Sequence, residues 1–356
     1  MNSQSPFIEN IIEGEVISSY PDIDPRQCLH SIASSEDTSK PQVLILSDVY
    51  DHESDLLGYL LSQKEIPYAR INSSYIPNDL TVSHIIGSES YSSFLKSRKQ
   101  KCDLSFLKVI LQRNFSIPNK DYNCILGNIY SQEWKASLAD ITYRSDCVHI
   151  NPISAVQKLL NPIYQLDIAK KSSFNIPDSI LSNVALDIKS FVKKHGRCLY
   201  KAVGHHHVIH KGRFYNFYAK DLMVDNGIED LVHPLLVQKI IEGAEDIRLT
   251  FVRKKMFFSR IIRPNNSEHI DYKSSSIENL SFDSFMPKRN IVKLARNLIG
   301  LSELDYGSID FLVKDGEWFF LEINERPDWK WLQHRNEPEI YNELISLIES
   351  KLTKDI

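Results

Sequence analysis

The stretch from Gly307 to Asn324 leaves little choice of structure. Two runs of apolar, β-branched and aromatic residues, Gly307 to Val313 and Trp318 to Asn324, flank the segment Lys314-Asp315-Gly316-Glu317. An Asp-Gly pair between such runs predicts a β-hairpin closed by a tight turn. The strand period of two puts Glu322 and Asn324 on one face, and Asp310 meets them from the neighbouring strand if the register allows. Two carboxylates and an amide on otherwise apolar strands are costly to bury without a partner. A hard, oxygen-preferring cation such as Mg2+, bound together with substrate phosphates, is a natural one. The alternative is a pair of edge strands whose polar tips are solvated.

The rest of the chain can support such a site. With 356 residues, 42% of them hydrophobic and 25% charged, it has material for two or three domains. A net charge of -4 gives no basic excess for reading nucleic acid. No apolar run reaches transmembrane length, and the polar, acidic N-terminus is unlike a signal peptide, so no membrane partner is expected. Five scattered cysteines (Cys28, Cys102, Cys124, Cys147, Cys198) lack CxxC spacing, which suits a reducing cytoplasm better than a disulfide framework or a zinc site.

Residues 1–40, rich in Ser, Asp, Glu and Pro, read as a polar tail or loosely docked arm. Residues 41–150 begin with a βαβ pattern: the strand Val43-Leu44-Ile45-Leu46, a helix carrying Leu56, Leu57, Leu60 and Leu61, and a second strand at Pro67–Ile71. Phe106–Leu111 and Cys124–Leu126 suggest further strands or buried segments, and a helix is expected over Gln132–Ala139. Residues 151–235 form a central unit. It opens with a helix from Pro162 capped by Asn161, then strand, helix and strand to Val203. The strand Leu235–Gly243 crosses into residues 236–356, which also hold a hairpin of Ile247–Val252 and Met256–Ile262, the opening motif, and helices near Ile291–Leu298 and Glu339–Leu352.

Other residues suit a phosphate-bearing ligand. Lys201 closes an apolar strand and could hold phosphate oxygens as a point charge; otherwise it is a solvated terminus. From Gln238 to Glu245, a strand leaves toward a crevice. There the backbone of Lys239 to Ile241 can pair with an adenine edge, and Glu242 or Glu245 can accept from ribose hydroxyls; otherwise these are acidic residues in a surface turn. Arg248 and Arg260, on facing strands, carry guanidinium forks that suit phosphate or acyl-phosphate oxygens. The run Gly204-His205-His206-His207-Val208-Ile209-His210 is read as a glycine-anchored loop over phosphates rather than a zinc cluster. Trp329 and Trp331 either wall a pocket or pack.

Taken in order, Lys201, the Gln238–Glu245 connector, Arg248 and the Asp310/Glu322/Asn324 set resemble the ATP-grasp ligases. The separations of 12 and 14 residues after Asp310 are similar to those of the RimK-like branch. From about residue 41 onward the chain resembles the microviridin-type (graspetide) peptide macrocyclases. Carrying that likeness are Val43–Leu46 with Asp48, Asn151-Pro152, Tyr164-Gln165-Leu166, Ile176-Pro177, Ser182-Asn183, Asp246-Ile247-Arg248, Asp271-Tyr272-Lys273 and Trp329-x-Trp331. Pro162 stands where that group carries a nucleotide-contacting lysine, so Lys158, one turn earlier, is the candidate in its place. The resemblance implies an α/β ATP-grasp architecture with an N-terminal βαβ domain, a small central domain and a C-terminal domain. It also implies ATP and Mg2+ as cofactors, Asp310, Glu322 and Asn324 as metal ligands, and a ribosomally made precursor peptide, leader plus core, as partner. Asp or Glu side chains of that peptide would be activated as acyl phosphates and joined to Ser/Thr or Lys as ω-esters or ω-amides. The alternatives are a RimK-like ligase extending a peptide or protein terminus, and a non-catalytic nucleotide- or leader-binding homologue. A homodimer is the assembly to test.

Overall fold

The computed structural model describes residues 39–76, 78–97, 100–117, 125–144, 146–204, 219–222, 233–263, 272–274, 280–329, 332 and 339–353, with backbone alone at 12–13, 207–210 and 213–216. Trp331, Gln333, Asp271 and the side chains of His205–His210 lie outside them.

Strand β1 (Ile12–Glu13) pairs antiparallel with residues far along the chain, Ile12 opposite Asn216 and Glu13 opposite Tyr215. The expected βαβ unit follows: β2 (Val43–Ser47), α1 (His52–Gln63) and β3 (Tyr68–Asn72), with β2 and β3 parallel. An antiparallel meander then intervenes, β4 (Leu80–Ile86), β5 (Tyr91–Ser97) and β6 (Gln100–Asp103), for which the polar-rich sequence gave no strong signal. After β7 (Val109–Gln112), helix α2 runs from Ile125 to Thr142. It includes Ile125 and Leu126, expected in a strand or buried segment. Strand β8 (Val148–Ile150) completes a parallel sheet of order β3-β2-β7-β8.

Helices α3 (Ile153–Leu159) and α4 (Pro162–Lys171) come next. The Asn161 side chain accepts from the Ile163 N–H at 2.9 Å, with Pro162 in the first turn, as the capping pattern requires. Then follow β9 (Ser179–Ser182), α5 (Ala185–His195), β10 (Cys198–Lys201), β11 (His207–His210), β12 (Arg213–Asn216), β13 (Lys220–Asp221) and β14 (Leu235–Lys239). A small antiparallel sheet has the order β13-β10-β14-β9, and β1 extends the hairpin of β11 and β12. The largest sheet is antiparallel. It is made of β15 (Glu245–Val252), β16 (Lys255–Ile262), β17 (Ser281–Ser284), β18 (Tyr306–Lys314) and β19 (Glu317–Asn324), in the order β17-β16-β15-β18-β19. Helix α6 (Arg289–Ser302) precedes β18, and α7 (Glu339–Leu352) ends the described chain.

Strand alternation gives the large sheet two different faces. One carries Ile247, Leu249, Phe251, Phe258, Ile309, Phe311, Phe320 and Ile323, packed with Ala295 and Leu298 of α6 and Ile168 of α4. The other carries Val252 and Ile261, which share a continuous core with Val43 and Ile45 of β2, Leu57 of α1, Leu344 of α7 and the fully buried Trp329. The N-terminal sheet therefore docks on the second face. Trp329 packs edge-on against Tyr341 with ring centroids 4.6 Å apart, so it is a core residue, not a pocket wall.

Asn151, just past β8, pins the two sheets together. Its amide donates to the carbonyls of Tyr306 (2.8 Å) and Glu325 (2.7 Å) and accepts from the N–H groups of Asp305 (2.8 Å) and Tyr306 (2.9 Å). Asn151→Ala strands these groups away from water and is expected to cost about 2 kcal/mol of stability, read as a lower urea midpoint. Asn151→Asp, which keeps the two acceptor contacts, should lose the donor pair and remain destabilised. Among the described residues no helix is long and apolar enough to cross a membrane.

Candidate metal and nucleotide site

The hairpin of β18 and β19 positions the acidic cluster, and it does so through an irregularity. Asp315 and Gly316 both take positive φ, 52° and 83°, the two-residue turn that an Asp-Gly pair favours. From that turn the strands pair regularly, Lys314 with Glu317 through Phe311 with Phe320. Continued unchanged, that register would set Asp310 against Leu321 and turn Glu322 toward the apolar core. A β-bulge between Asp310 and Phe311 shifts the pairing by one, so that Asp310 faces Glu322 and Ser308 faces Asn324. All three predicted ligands then stand on the face opposite α6. The sequence carries the trace: Trp318, Phe320 and Ile323 are the buried positions of β19, and a strict alternation cannot put both Phe320 and Ile323 inside.

Asp310 is buried, and Arg248 reaches both of its oxygens, the longer contact being 3.4 Å to Oδ2. Oδ1 accepts from the Arg248 guanidinium at 3.2 Å and from the Tyr272 hydroxyl at 3.3 Å, both buried groups that also touch each other at 3.0 Å. Oδ2 lies 2.8 Å from the Lys273 ammonium and accepts from the Asn324 amide at 3.3 Å. The Glu322 Oε1 atom takes a close ion pair from the same ammonium and a hydrogen bond from the same amide at 3.2 Å. A cation thus already sits among the convergent oxygens, so the donor set fits a hard metal ion; turned over, the Asn324 amide offers Oδ1 in place of its N–H.

Two further residues fix this cluster, and the sequence did not single them out for that purpose. Gln165 of α4 donates to the Ile323 carbonyl at 3.2 Å and accepts from its N–H at 2.7 Å, holding the residue between Glu322 and Asn324. Arg248 also donates to the Asp328 carbonyl at 3.2 Å. Burial pulls the Arg248 guanidinium down, but Tyr272 and Asp310 outweigh that and hold it above its ordinary value, so it remains charged. Its expected phosphate contact is therefore spent on the carboxylate and on Tyr272.

Arg260 is a correction. It pairs across the sheet with Ile247, whereas Arg248 pairs with Ser259, so the two guanidinium groups lie on opposite faces. Arg260 stacks on Phe285 (5.5 Å to the ring centroid) and lies 3.4 Å from Glu245, away from the acidic cluster. Lys158 is likewise tied elsewhere, 2.7 Å from Glu303 at the end of α6 and exposed.

The small sheet presents the nucleotide candidates. One face, with Cys198, Tyr200 and Val237, packs on Ile188 and Val192 of α5. The other carries Leu199, Lys201, Leu236 and Gln238. Lys201 is half-buried and has no ion-pair partner among the described residues; Gln238 is buried and donates to Ser179 at 3.0 Å. The connector from β14 to β15 departs in part from expectation. The Lys239 N–H is spent on the Asp178 carbonyl (2.9 Å) and the Ile240 N–H on Arg197 (3.1 Å), while the Ile241 N–H meets no backbone carbonyl among the described residues. Glu242 lies 3.6 Å from Arg197, and Glu245 is held by Arg260. The described thiols are inert: Cys102, Cys147 and Cys198 are buried, and burial, with Asp146 alongside, pushes Cys147 up to about 12.

No family model matches the sequence, and neither does any curated protein. Solved structures do. A RiPP-associated ATP-grasp ligase from Chryseobacterium gregarium, in complex with ADP and a leader and core peptide, superposes with a TM-score of 0.73 at 21% identity over 88% of this chain and 97% of that one. The macrocyclase MdnC from Microcystis aeruginosa, bound with its precursor peptide MdnA, gives 0.72 at 19% identity over 86% and 99%. D-alanyl-alanine synthetase A from Vibrio cholerae gives 0.58 at 13% identity over 89% and 100%. These likenesses establish that the chain has the ATP-grasp fold.

Proposed function

We propose that this ATP-grasp chain is an ATP-dependent peptide macrocyclase acting on a ribosomally made precursor. A carboxylate is a poor electrophile, so a side-chain oxygen of a peptide Asp or Glu first attacks the γ-phosphorus of ATP, and ADP departs. A Ser/Thr hydroxyl or Lys amine of the same peptide then attacks the acyl carbon. Phosphate leaves, the nucleophile's proton is lost, and an ω-ester or ω-amide ring closes. Bound Mg2+ would neutralise charge on the transferring phosphoryl group. Asp310, Glu322 and Asn324 are the residues to hold it. Lys201 supplies a point charge for phosphate oxygens, the Ile241 N–H a donor for the adenine edge, and Glu242 and Glu245 acceptors for ribose once released from their arginines. Arg248 acts by holding the Asp310 carboxylate in place. The carrying observation is the convergence of two carboxylates and an amide around a cationic group on a sheet face otherwise built for packing.

Support for the peptide comes from the Chryseobacterium and Microcystis structures, which hold precursor peptides. The Vibrio synthetase shares the fold and favours a second reading, a RimK-like ligase that extends a terminus. The intact chain, ATP, Mg2+ and a candidate precursor encoded beside it, rich in Thr or Lys and in Asp or Glu, separate the two by mass spectrometry. Cyclisation removes one water per ring; extension adds residue masses. A peptide unchanged in mass, with no phosphate released, rejects both. A cytoplasmic location and a homodimer belong to the same proposal.

A further inference from the structure

Among the described residues, the four charged side chains in contact at the acidic cluster balance before any ligand is considered. Asp310 and Glu322 contribute two negative charges; Arg248 and Lys273 contribute two positive ones. The two cations are not equivalent. Arg248 is buried against Asp310 Oδ1 and fixed by Tyr272 and the Asp328 carbonyl. Lys273 reaches Asp310 Oδ2 and Glu322 Oε1 with a side chain one-third exposed, at the end of a flexible stem. A divalent ion held by Asp310 and Glu322 would compete with this ammonium for their oxygens, because Asp310 Oδ1 is held more closely by the buried Arg248 and Tyr272 than Oδ2 is by Arg248.

Resting on the metal-site reading above, we propose that Lys273 is a built-in competitor for the metal and is handed to the nucleotide when the metal enters. Metal entry costs the ammonium its contacts with Asp310 and Glu322. With two carboxylates, one guanidinium and one divalent ion, the cluster passes from neutral to net positive, and the displaced ammonium adds a further positive charge beside it. A polyphosphate is the ligand class that stabilises this arrangement and gives the ammonium new oxygen partners. Metal and nucleotide therefore bind with positive coupling: metal alone binds poorly, and each ligand raises the other's affinity by the same factor. Lys273 is a positioning and coupling residue here, acting through the charges it exchanges.

Mn2+ binding to the full chain, followed by electron paramagnetic resonance with and without ADP, tests this without turnover. Lys273→Met is expected to bind Mn2+ alone roughly tenfold more tightly than the parent, the scale of two partly screened ion pairs removed. Its enhancement by ADP should shrink by a similar factor. Lys273→Arg, which keeps the competing charge, should stay near the parent, and Lys273→Gln repeats the neutral test should the methionine variant not fold. Unchanged or weaker Mn2+ binding in both neutral variants overturns the competition. If parent and variants alike bind no Mn2+ even with ADP, the metal-site reading itself falls, an outcome distinct from the first.

Discussion

Glu322→Gln is expected to lower ATP-dependent phosphate release by about a thousandfold or more while leaving the unfolding midpoint nearly unchanged. The size follows from removing one of two carboxylates that hold the charge-neutralising ion at a transferring phosphoryl group, an interaction made most strongly in the transition state. The selectivity follows from geometry. Glu322 is partly exposed and the Lys273 ammonium beside it sits on a flexible stem, so the loss leaves no fully buried charge behind. Asp310→Asn is a poorer test, because it removes the partner of the buried Arg248 and is expected to destabilise the fold as well. A coupled phosphate-release assay beside a thermal melt checks the claim. A Glu322→Gln enzyme that turns over within tenfold of the parent would remove Glu322 from the metal site.

The largest stability effect is expected at Arg113, which is fully buried where the N-terminal sheet meets the segment after Asn324. Its guanidinium donates to Asp51 at 2.8 Å and to the Pro327 carbonyl at 3.1 Å, and lies 3.3 Å from Asp328 and 3.7 Å from Glu53. Asp51 is further held by the hydroxyls of Ser47 (2.7 Å) and Ser54 (2.6 Å). Arg113→Met leaves two buried carboxylates without their cation and is expected to cost about 3–5 kcal/mol. Adding Asp51→Asn should restore part of that, since the stranded charge is then gone. The same network has a pH signature. Burial raises the Asp51 carboxyl, but Arg113 and the two serines outweigh it and leave it below the ordinary 3.8. Because the folded value is the lower one, the stabilisation from Asp51 is fully present above about 3.8 and is lost as the pH falls through the folded value. Urea titrations from neutral pH down into that range should show the parent losing stability more steeply than Arg113→Met/Asp51→Asn.

Local chemistry made much of the fold legible. The Asp-Gly turn, the Asn161-Pro162 cap and the apolar run at Val43 each encode a structure within a few residues, and each element formed where expected. Elements whose identity depends on distant partners were harder to read. The meander of β4 to β6 has little apolar alternation of its own and is stabilised by packing Leu80, Leu95 and Cys102 against the N-terminal sheet. The same divide runs through the site. Asp310, Glu322 and Asn324 share one hairpin and could be found by spacing. Lys273, Gln165 and Asp328 reach it from separate segments, and nothing in their neighbours announces that meeting. Arg260 was misplaced for a related reason: facing strands were identified, but which side each guanidinium takes depends on a one-residue register that composition does not fix.

The bulge at Asp310 makes the site a matter of parity. Removing Leu321 would give a smoother ladder with every residue partnered, and it would leave Phe320 opposite Phe311, Glu322 opposite Asp310 and Asn324 opposite Ser308, each on its present side. What the hairpin must conserve is therefore the side each residue takes, with Trp318 and Phe320 inward and the acid and amide outward, and the unpaired residue at Leu321 is where its length is free to change.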